Sequence, residues 1–387
     1  MSKLPSVLVF VPYYLPGYKS GGPIRTVSSI VESCGEDFDF SLITRDRDSG
    51  DSVAYDSVDL NSFNWVGKAK VFYADDQTLT FTGLRKVMAS CDFQALYLNS
   101  FFHPVFTLKP LLLNALFFRK PVLLCPRGEF SPGALGLKSF KKKLYLNFFK
   151  LLRLHKQIVW QATTQEEATL IRSTFDDDIK IKVAQNISLP SLVSQPLPTK
   201  QETLKVAFLS RISHKKNLSG ALQALGKVSS NVIFDVYGPA SRSDDQVYLK
   251  ECQAFASTLP ANIQVNFKGE VRHEQVGETL KNYDLFFLPT LGENFGHAII
   301  EALAAGLPLL IGNTTPWKYL EQQGIGWDID PADTASFAEN IEQVASMPVE
   351  QHAAMRQEAL QYAKDYLDSS EAVAQTKKMF NEVIQEG

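Results

Sequence analysis

At 387 residues, 45% of them hydrophobic and 21% charged, the chain is long enough for two domains and too apolar for a disordered or fibrous one. Its net charge of −3 points to no nucleic-acid partner. The four cysteines, Cys34, Cys91, Cys125 and Cys252, stand alone with no C-x-x-C pair or zinc-like spacing, which fits buried thiols in a reducing cytoplasm.

The first apolar run, residues 7–11, is short, follows a single lysine and ends at Pro12. It lacks the anatomy of a secretory signal and reads as a buried first strand. Runs of strand length recur at residues 95–98, 122–125, 206–209, 232–236 and 285–288, separated by segments of helical periodicity. Strands alternating with helices imply parallel sheets. No stretch approaches the roughly twenty apolar residues that cross a bilayer. A cytoplasmic protein is expected, with any membrane contact peripheral and on the inner face of the cell membrane.

Residues 101–160 hold eleven Lys or Arg and one acid, Glu129, so this part of the surface is suited to an anionic partner. Within residues 137–156, Leu137, Phe140, Leu144, Phe148 and Leu151 fall at helical spacing, surrounded by Lys138, Lys141, Lys142, Lys143, Lys150, Arg153 and Lys156. The pattern is a basic amphipathic helix, and two readings stand: a cover for the sheet, or a dock on anionic membrane that carries an acceptor.

Residues 188–201 are rich in Pro and Ser and have no period, which marks a boundary. An N-terminal domain over residues 1–190 and a C-terminal domain over 203–367 are expected. From Asp333 onward the pattern is helical, and the stretch 368–387 is expected to pack back on the N-terminal domain. Two doubly wound halves facing each other would place their strand carboxyl ends at a shared cleft, where open α/β sheets bind ligands.

The run at 285–288 leads into Gly292, Glu293, Asn294, Phe295 and Gly296, and then into a helical segment containing Glu301, Ala302, Gly306 and Pro308. The glycines let backbone approach a ligand, and the amides of Asn294, Phe295 and Gly296 would lie at the positive end of the helix, where phosphate oxygens are favoured. Glu301 suits vicinal ribose hydroxyls and Glu293 the hydroxyls of a donor sugar. A buried helix with incidental glutamates accounts for residues 298–303, but not for two glycines and a carboxylate ahead of it.

Glu293, seven intervening residues and Glu301, followed by Ala302, Gly306 and Pro308, resemble the E-x7-E motif of retaining glycosyltransferases of family 4. The resemblance spans most of the chain and is tighter over residues 204–312. It implies a GT-B fold, two Rossmann-like doubly wound domains facing across a cleft. It also implies transfer, with retention at the anomeric carbon, of a sugar from a UDP- or GDP-sugar to a glycan or lipid-linked acceptor. Members of this kind build bacterial surface polysaccharides: lipopolysaccharide and O-antigen, capsule or exopolysaccharide. The nucleotide sugar is then a substrate and no cofactor is implied.

The same resemblance distributes roles. Arg211 and Lys216 match the Arg, four residues, Lys pattern at the donor diphosphate, where two fixed cations replace a metal ion by stabilising the departing charge. Glu293 joins them at the donor sugar. Gly21 and Gly22, just ahead of Pro23, correspond to glycines beside the diphosphate. His103, just past the run 95–98, corresponds to a histidine near the donor sugar and acceptor, although a histidine among aromatics is ordinarily structural. Arg127 and Glu129 are expected to line the acceptor side, and the base to rest near Gly269 and Val271. Three pairs of aspartates, Asp37 with Asp39, Asp46 with Asp48 and Asp328 with Asp330, have the spacing of a metal motif, but nothing around them supports one, and no metal is expected. Rival readings are a sugar-nucleotide epimerase or a phosphorylase of the same architecture, and a noncatalytic two-lobed binding protein.

Overall fold

Each apolar run read from the sequence becomes a strand in the computed structural model, which describes residues 3–131, 135, 139–175, 178–194 and 196–386. The chain divides into two compact units: one is Met1–Ile187 with Glu371–Gly387, the other Ser188–Ser370.

The first unit carries β1 (Ser6–Phe10), β2 (Asp39–Arg45), β3 (Phe63–Val66), β4 (Ala69–Ala74), β5 (Ala95–Asn99), β6 (Val122–Cys125), β7 (Val159–Ala162) and β8 (Lys180–Val183). They form one sheet in the order β3-β4-β2-β1-β5-β6-β7-β8. All neighbours run parallel except β3, which is antiparallel to β4. The central strands β1, β5 and β6 are buried at every residue, as befits a parallel sheet covered on both faces. One face packs Phe101 against Phe149, Trp160 and Phe175. The other packs Phe38, Phe40 and Tyr97 around Phe380 of the C-terminal helix, Ala372–Gln385. Lys182 with Glu382 (2.6 Å) and Lys377 with Asp37 (2.6 Å) hold that helix at its edges.

The second unit carries β9 (Leu204–Leu209), β10 (Val232–Tyr237), β11 (Ile263–Gly269), β12 (Leu285–Leu288), β13 (Leu309–Gly312) and β14 (Gly326–Ile329). Their order, β11-β10-β9-β12-β13-β14, is all parallel. Numbered within the unit this is 3-2-1-4-5-6, the doubly wound arrangement whose strand order reverses between β9 and β12. The first unit reverses in the same way between β1 and β5. Ligands of such sheets bind beyond the carboxyl ends of the strands flanking the reversal, so four loops become candidates: those following β1, β5, β9 and β12.

The Pro- and Ser-rich stretch, where a boundary is expected, is held to the second unit: Val193 donates its amide to Ala304 O (3.1 Å), and Pro198 O accepts from Arg356 (2.8 Å). The basic helix runs from Ser139 to Leu151, with a further turn at Leu154–Lys156. The row proposed from periodicity, Phe140, Leu144, Phe148 and Leu151, does not cover the sheet but is exposed. Phe149, Tyr145 and Leu146, on the opposite face, pack into the core instead. Leu137 and Lys138 lie outside the described residues.

Candidate active site

Beyond β9, the chain passes Arg211, makes a single turn at His214–Lys216 and enters the helix Leu218–Leu225 through Asn217. Asn217 caps that helix by accepting from Gly220 N (3.2 Å) and donates its other side-chain group to Pro289 O (3.0 Å), just past β12. Leu291 N (2.8 Å) and Thr290 Oγ1 (3.1 Å) both donate to Lys215 O. The two loops at the strand-order reversal are thereby sewn together, and Lys216 forms an ion pair with Glu293 across the seam, both side chains largely shielded. The sequence motifs, 77 residues apart, meet in space.

The loop after β12 ends at Gly296, whose φ of 85° and ψ of 65° a side chain would resist. A methyl there would also lie 2.7 Å from Ile299 Cδ1. Trp317 Nε1 donates to Phe295 O (2.6 Å) and anchors the turn. The helix His297–Ala304 follows, so residues 294–296 lie at its positive end, as expected. Glu301 is 5% exposed, one turn along the helix, with His273 Nδ1 3.4 Å from its Oε1. His273 starts a short turn, His273–Gln275, two residues beyond Val271, so the segment after β11 reaches Glu301 through it. Gly269 closes β11 with φ 73° and accepts from Gly238 N (2.8 Å), while Val271 packs on the core.

Arg211 is half-buried. Burial, and then the neighbouring Arg242, hold its guanidinium below the usual range, while Asp245 and Glu293 act in the opposite sense. The hydroxyl of Ser213 in the loop after β9, that of Ser241 in the loop after β10, and one oxygen of Asp245 in the first turn of the helix Ser243–Ala256 are buried with no hydrogen-bond partner among the described residues. Buried polar atoms without partners are uncommon and mark a place where a polar ligand or water belongs. Gly238 sets this geometry: with φ 134° it lets Ser210 pass so closely that an added methyl would be 1.9 Å from Ser210 O. Gly238→Ala is expected to displace the Arg211 loop and to cost about 2 kcal/mol from overpacking and strain. A urea titration checks it; an unchanged midpoint would contradict the geometry.

In the first unit, Gly21 and Gly22 open the helix Gly22–Cys34 after β1, with Gly21 as its cap at φ 68°. Asp48 accepts from Tyr18 N (2.7 Å) and Lys19 N (3.0 Å) and fixes the loop leading to them. His103 follows β5 and caps the turn Pro104–Leu108, its Nδ1 accepting from Phe106 N (3.1 Å). Burial, and then Arg45, push its pKa down to about 4, so the ring is neutral near pH 7 with Nε2 carrying the proton.

Arg127 and Glu129, expected to line an acceptor surface, are half-buried and each held by hydrogen bonds within the first unit. Arg127 binds Asn99 Oδ1 (3.1 Å), Asn186 Oδ1 (2.9 Å) and Tyr97 OH (2.9 Å). Glu129 accepts from Ser100 Oγ (2.8 Å) and from the amides of Phe101 and Phe102 (3.2 Å to the latter). Glu167, which no motif singled out, accepts from Gly128 N, Thr163 N (2.7 Å) and Thr163 Oγ1 (2.6 Å) and holds the same turn. The aspartate pairs have fold roles too: Asp46 binds Arg47 (2.7 Å), Asp39 lies 3.7 Å from Lys70, and Asp328 accepts from Leu320 N (3.1 Å). No group of three or more His, Cys, Asp or Glu among the described residues is arranged to hold a metal ion.

Residues 193–362 match the family Glycosyl transferases group 1. Among curated proteins, the 2-deoxystreptamine N-acetyl-D-glucosaminyltransferase of Niallia circulans is 32% identical over 108 residues, covering 28% of this chain and 27% of that protein. The aligned stretches span about a third or less of the length of the curated relatives, 32% and 27%. Among solved structures, sucrose-phosphate synthase from Thermosynechococcus elongatus superposes with a TM-score of 0.75 at 13% identity, covering all of both chains. HepE from Anabaena, in complex with UDP and glucose, superposes with a TM-score of 0.68 at 16% identity, over 99% of this chain and 100% of that one. At these identities the likeness is one of fold.

Proposed function

Because residues 193–362 form a glycosyl transferases group 1 domain within a GT-B fold, we propose that the chain is a retaining, metal-independent glycosyltransferase of family 4. It takes a sugar from a UDP- or GDP-sugar and adds it to a glycan or lipid-linked glycan, in the synthesis of a surface polysaccharide such as lipopolysaccharide O-antigen, capsule or exopolysaccharide. The observation that carries the reading is the seam in the second unit: a cation loop and a glycine-bounded helix start, leaving adjacent strands at the reversal of strand order and joined through Lys215, Lys216 and Glu293.

In this reading Arg211, Lys216 and the amides at residues 294–296 hold the donor diphosphate, Glu301 takes the ribose hydroxyls, and the base rests near Gly269 and Val271. Glu293 and the loop backbone orient the sugar. Scission of the bond between the anomeric carbon and the phosphate oxygen leaves added negative charge on the diphosphate, where fixed cations and helix-end amides stabilise it. The acceptor hydroxyl attacks from the same face and gives its proton to the departing phosphate oxygen, so no side-chain nucleophile is needed. Neutral His103 offers its Nε2–H to a sugar hydroxyl. The UDP bound by HepE and the N-acetylglucosaminyl transfer named for the Niallia relative favour a UDP-sugar. No helix among the described residues is long and apolar enough to cross a membrane, and the proposed place of work is the inner face of the cell membrane.

Thermal-shift titration with UDP, GDP and their hexose and N-acetylhexosamine conjugates tests the donor, since a ligand that binds only the folded chain raises its melting temperature. One nucleotide series is expected to stabilise, and transfer to a cell-derived acceptor fraction is expected to proceed in EDTA with retained anomeric configuration by NMR. Stabilisation by no nucleotide would remove the reading. Conversion of the sugar without nucleotide release would assign an epimerase instead.

A further inference from the structure

The helix Ser139–Leu151 has apolar side chains on two opposite faces. One face is satisfied: Phe149 is buried with its ring 4.7 Å from that of Phe101 and 6.0 Å from that of Tyr145. Lys142 and Lys150 also lean inward, their Nζ atoms 4.9 Å and 5.8 Å from the ring centres of Phe102 and Phe175. The other face is a continuous ridge. Phe140, Leu144, Phe148 and Leu151 recur at the three- and four-residue intervals that align on one side of a helix, and are 79%, 64%, 42% and 80% exposed. Leu152, 42% exposed, extends the ridge. Large apolar residues are normally exposed singly, so a row of this length marks an interaction surface.

Charge identifies the occupant. Lys141 and Lys143 flank the ridge, and Arg153 stands just past its end, all three exposed. Across residues 101–160 the one acid is Glu129, whose carboxylate is turned inward onto Ser100 and backbone amides. A second copy of the chain pairing through this ridge would set lysine against lysine, whereas a sheet of anionic headgroups complements the cations while its acyl boundary accepts the apolar row. We propose that this face docks on an anionic lipid bilayer, with Phe140, Leu144, Phe148 and Leu151 entering the boundary between headgroups and acyl chains and Lys141 and Lys143 lying against lipid phosphates. The inference goes beyond the transferase reading: it concerns where the chain is held, and it stands on residues of the first unit, whereas the loops after β9 and β12 belong to the second.

The test is co-sedimentation of the full chain with vesicles of equimolar phosphatidylcholine and phosphatidylglycerol, against vesicles of phosphatidylcholine alone, without donor or acceptor. The unchanged chain is expected to bind the anionic vesicles and not the neutral ones. F140S/L144S/L151S and, separately, K141Q/K143Q are each expected to weaken that binding at least about tenfold, with melting temperatures and nucleotide-induced thermal shifts unchanged. Failure of the unchanged chain to bind anionic vesicles would overturn the proposal, as would undiminished binding by the apolar triple variant. A wild-type dimer dissolved by F140S/L144S/L151S would assign the ridge to self-association instead. A transferase that fails to sediment, and a sedimenting chain that binds no nucleotide, remain distinct results.

Discussion

Lys216→Ala is expected to lower kcat/KM for sugar transfer by about a hundredfold, the scale set by removing one preorganised group, about 3 kcal/mol, that meets developing charge. The structure gives two reasons for so large an effect. The substitution removes a cation from the proposed diphosphate site, and it strips Glu293 of its ion-pair partner just ahead of the helix His297–Ala304, whose positive end belongs to the same proposed site. A largely shielded carboxylate left uncompensated beside a diphosphate opposes donor binding as well as bond scission, so KM should rise while kcat falls. Lys216→Ala combined with Glu293→Gln separates the two contributions. If Lys216 acts only as a cation for the donor, the double variant equals the sum of the singles; if it also neutralises Glu293, the double variant recovers part of the loss. Steady-state kinetics of the single and double variants, with melting temperatures as a control for the fold, check both statements. A near-wild-type kcat/KM for Lys216→Ala would remove the site assignment.

What the sequence conveyed follows from how each feature is encoded. Strands buried on both faces, such as β5, β6 and β12, are uninterrupted apolar runs and were legible. β2 and β11 carry polar residues within the strand, Asp39, Ser41 and Thr44 in one and Gln264, Asn266 and Lys268 in the other, so they form no uninterrupted apolar run, and only the two-residue alternation of β11 would have marked it. The loops after β9 and β12 drew notice because their glycines, cations and carboxylates are compressed into short local spacings after a strand, and the fold joins them across the reversal of strand order. His273 was not legible: it meets Glu301 only because the turn after β11 carries it there, and no local spacing records that. Arg127 and Glu129 have the residue types of a binding surface, but their partners Asn99, Asn186 and Ser100 are dispersed in sequence, so the hydrogen bonds that hold them are visible only in three dimensions. The basic helix is legible as a helix, but the face it packs inward is not. Two apolar faces overlap in one stretch, and periodicity selected the row that faces outward.

Arg356→Ala is expected to destabilise the second unit by about 3–5 kcal/mol, the cost of leaving the partners of a buried charged group unpaired. Arg356 is 1% exposed, midway along the helix Val349–Ser369, and its guanidinium is spent on three main-chain carbonyls: Gly306 (2.9 Å), Pro198 (2.8 Å) and Lys281 (2.7 Å). Burial holds its pKa below the usual range and Asp284 acts against that shift, so the charge is retained at the expense of desolvation and offset by hydrogen bonds. Those carbonyls belong to the end of the Glu301 helix segment, the stretch leading into β9 and the turn before β12, so one side chain ties together the supports of the loops after β9 and β12. Against a typical total stability of about 5–15 kcal/mol, the loss is large enough to leave a measurable unfolded fraction at 37 °C. Arg356→Met restores much of the volume without the donors, and should be nearly as damaging if the hydrogen bonds dominate. Arg356→Lys keeps the charge but not the planar fork that reaches three acceptors, and should fall between. Denaturant titrations of the three variants decide the order. A methionine variant as stable as the parent would mean that Arg356 contributes volume alone.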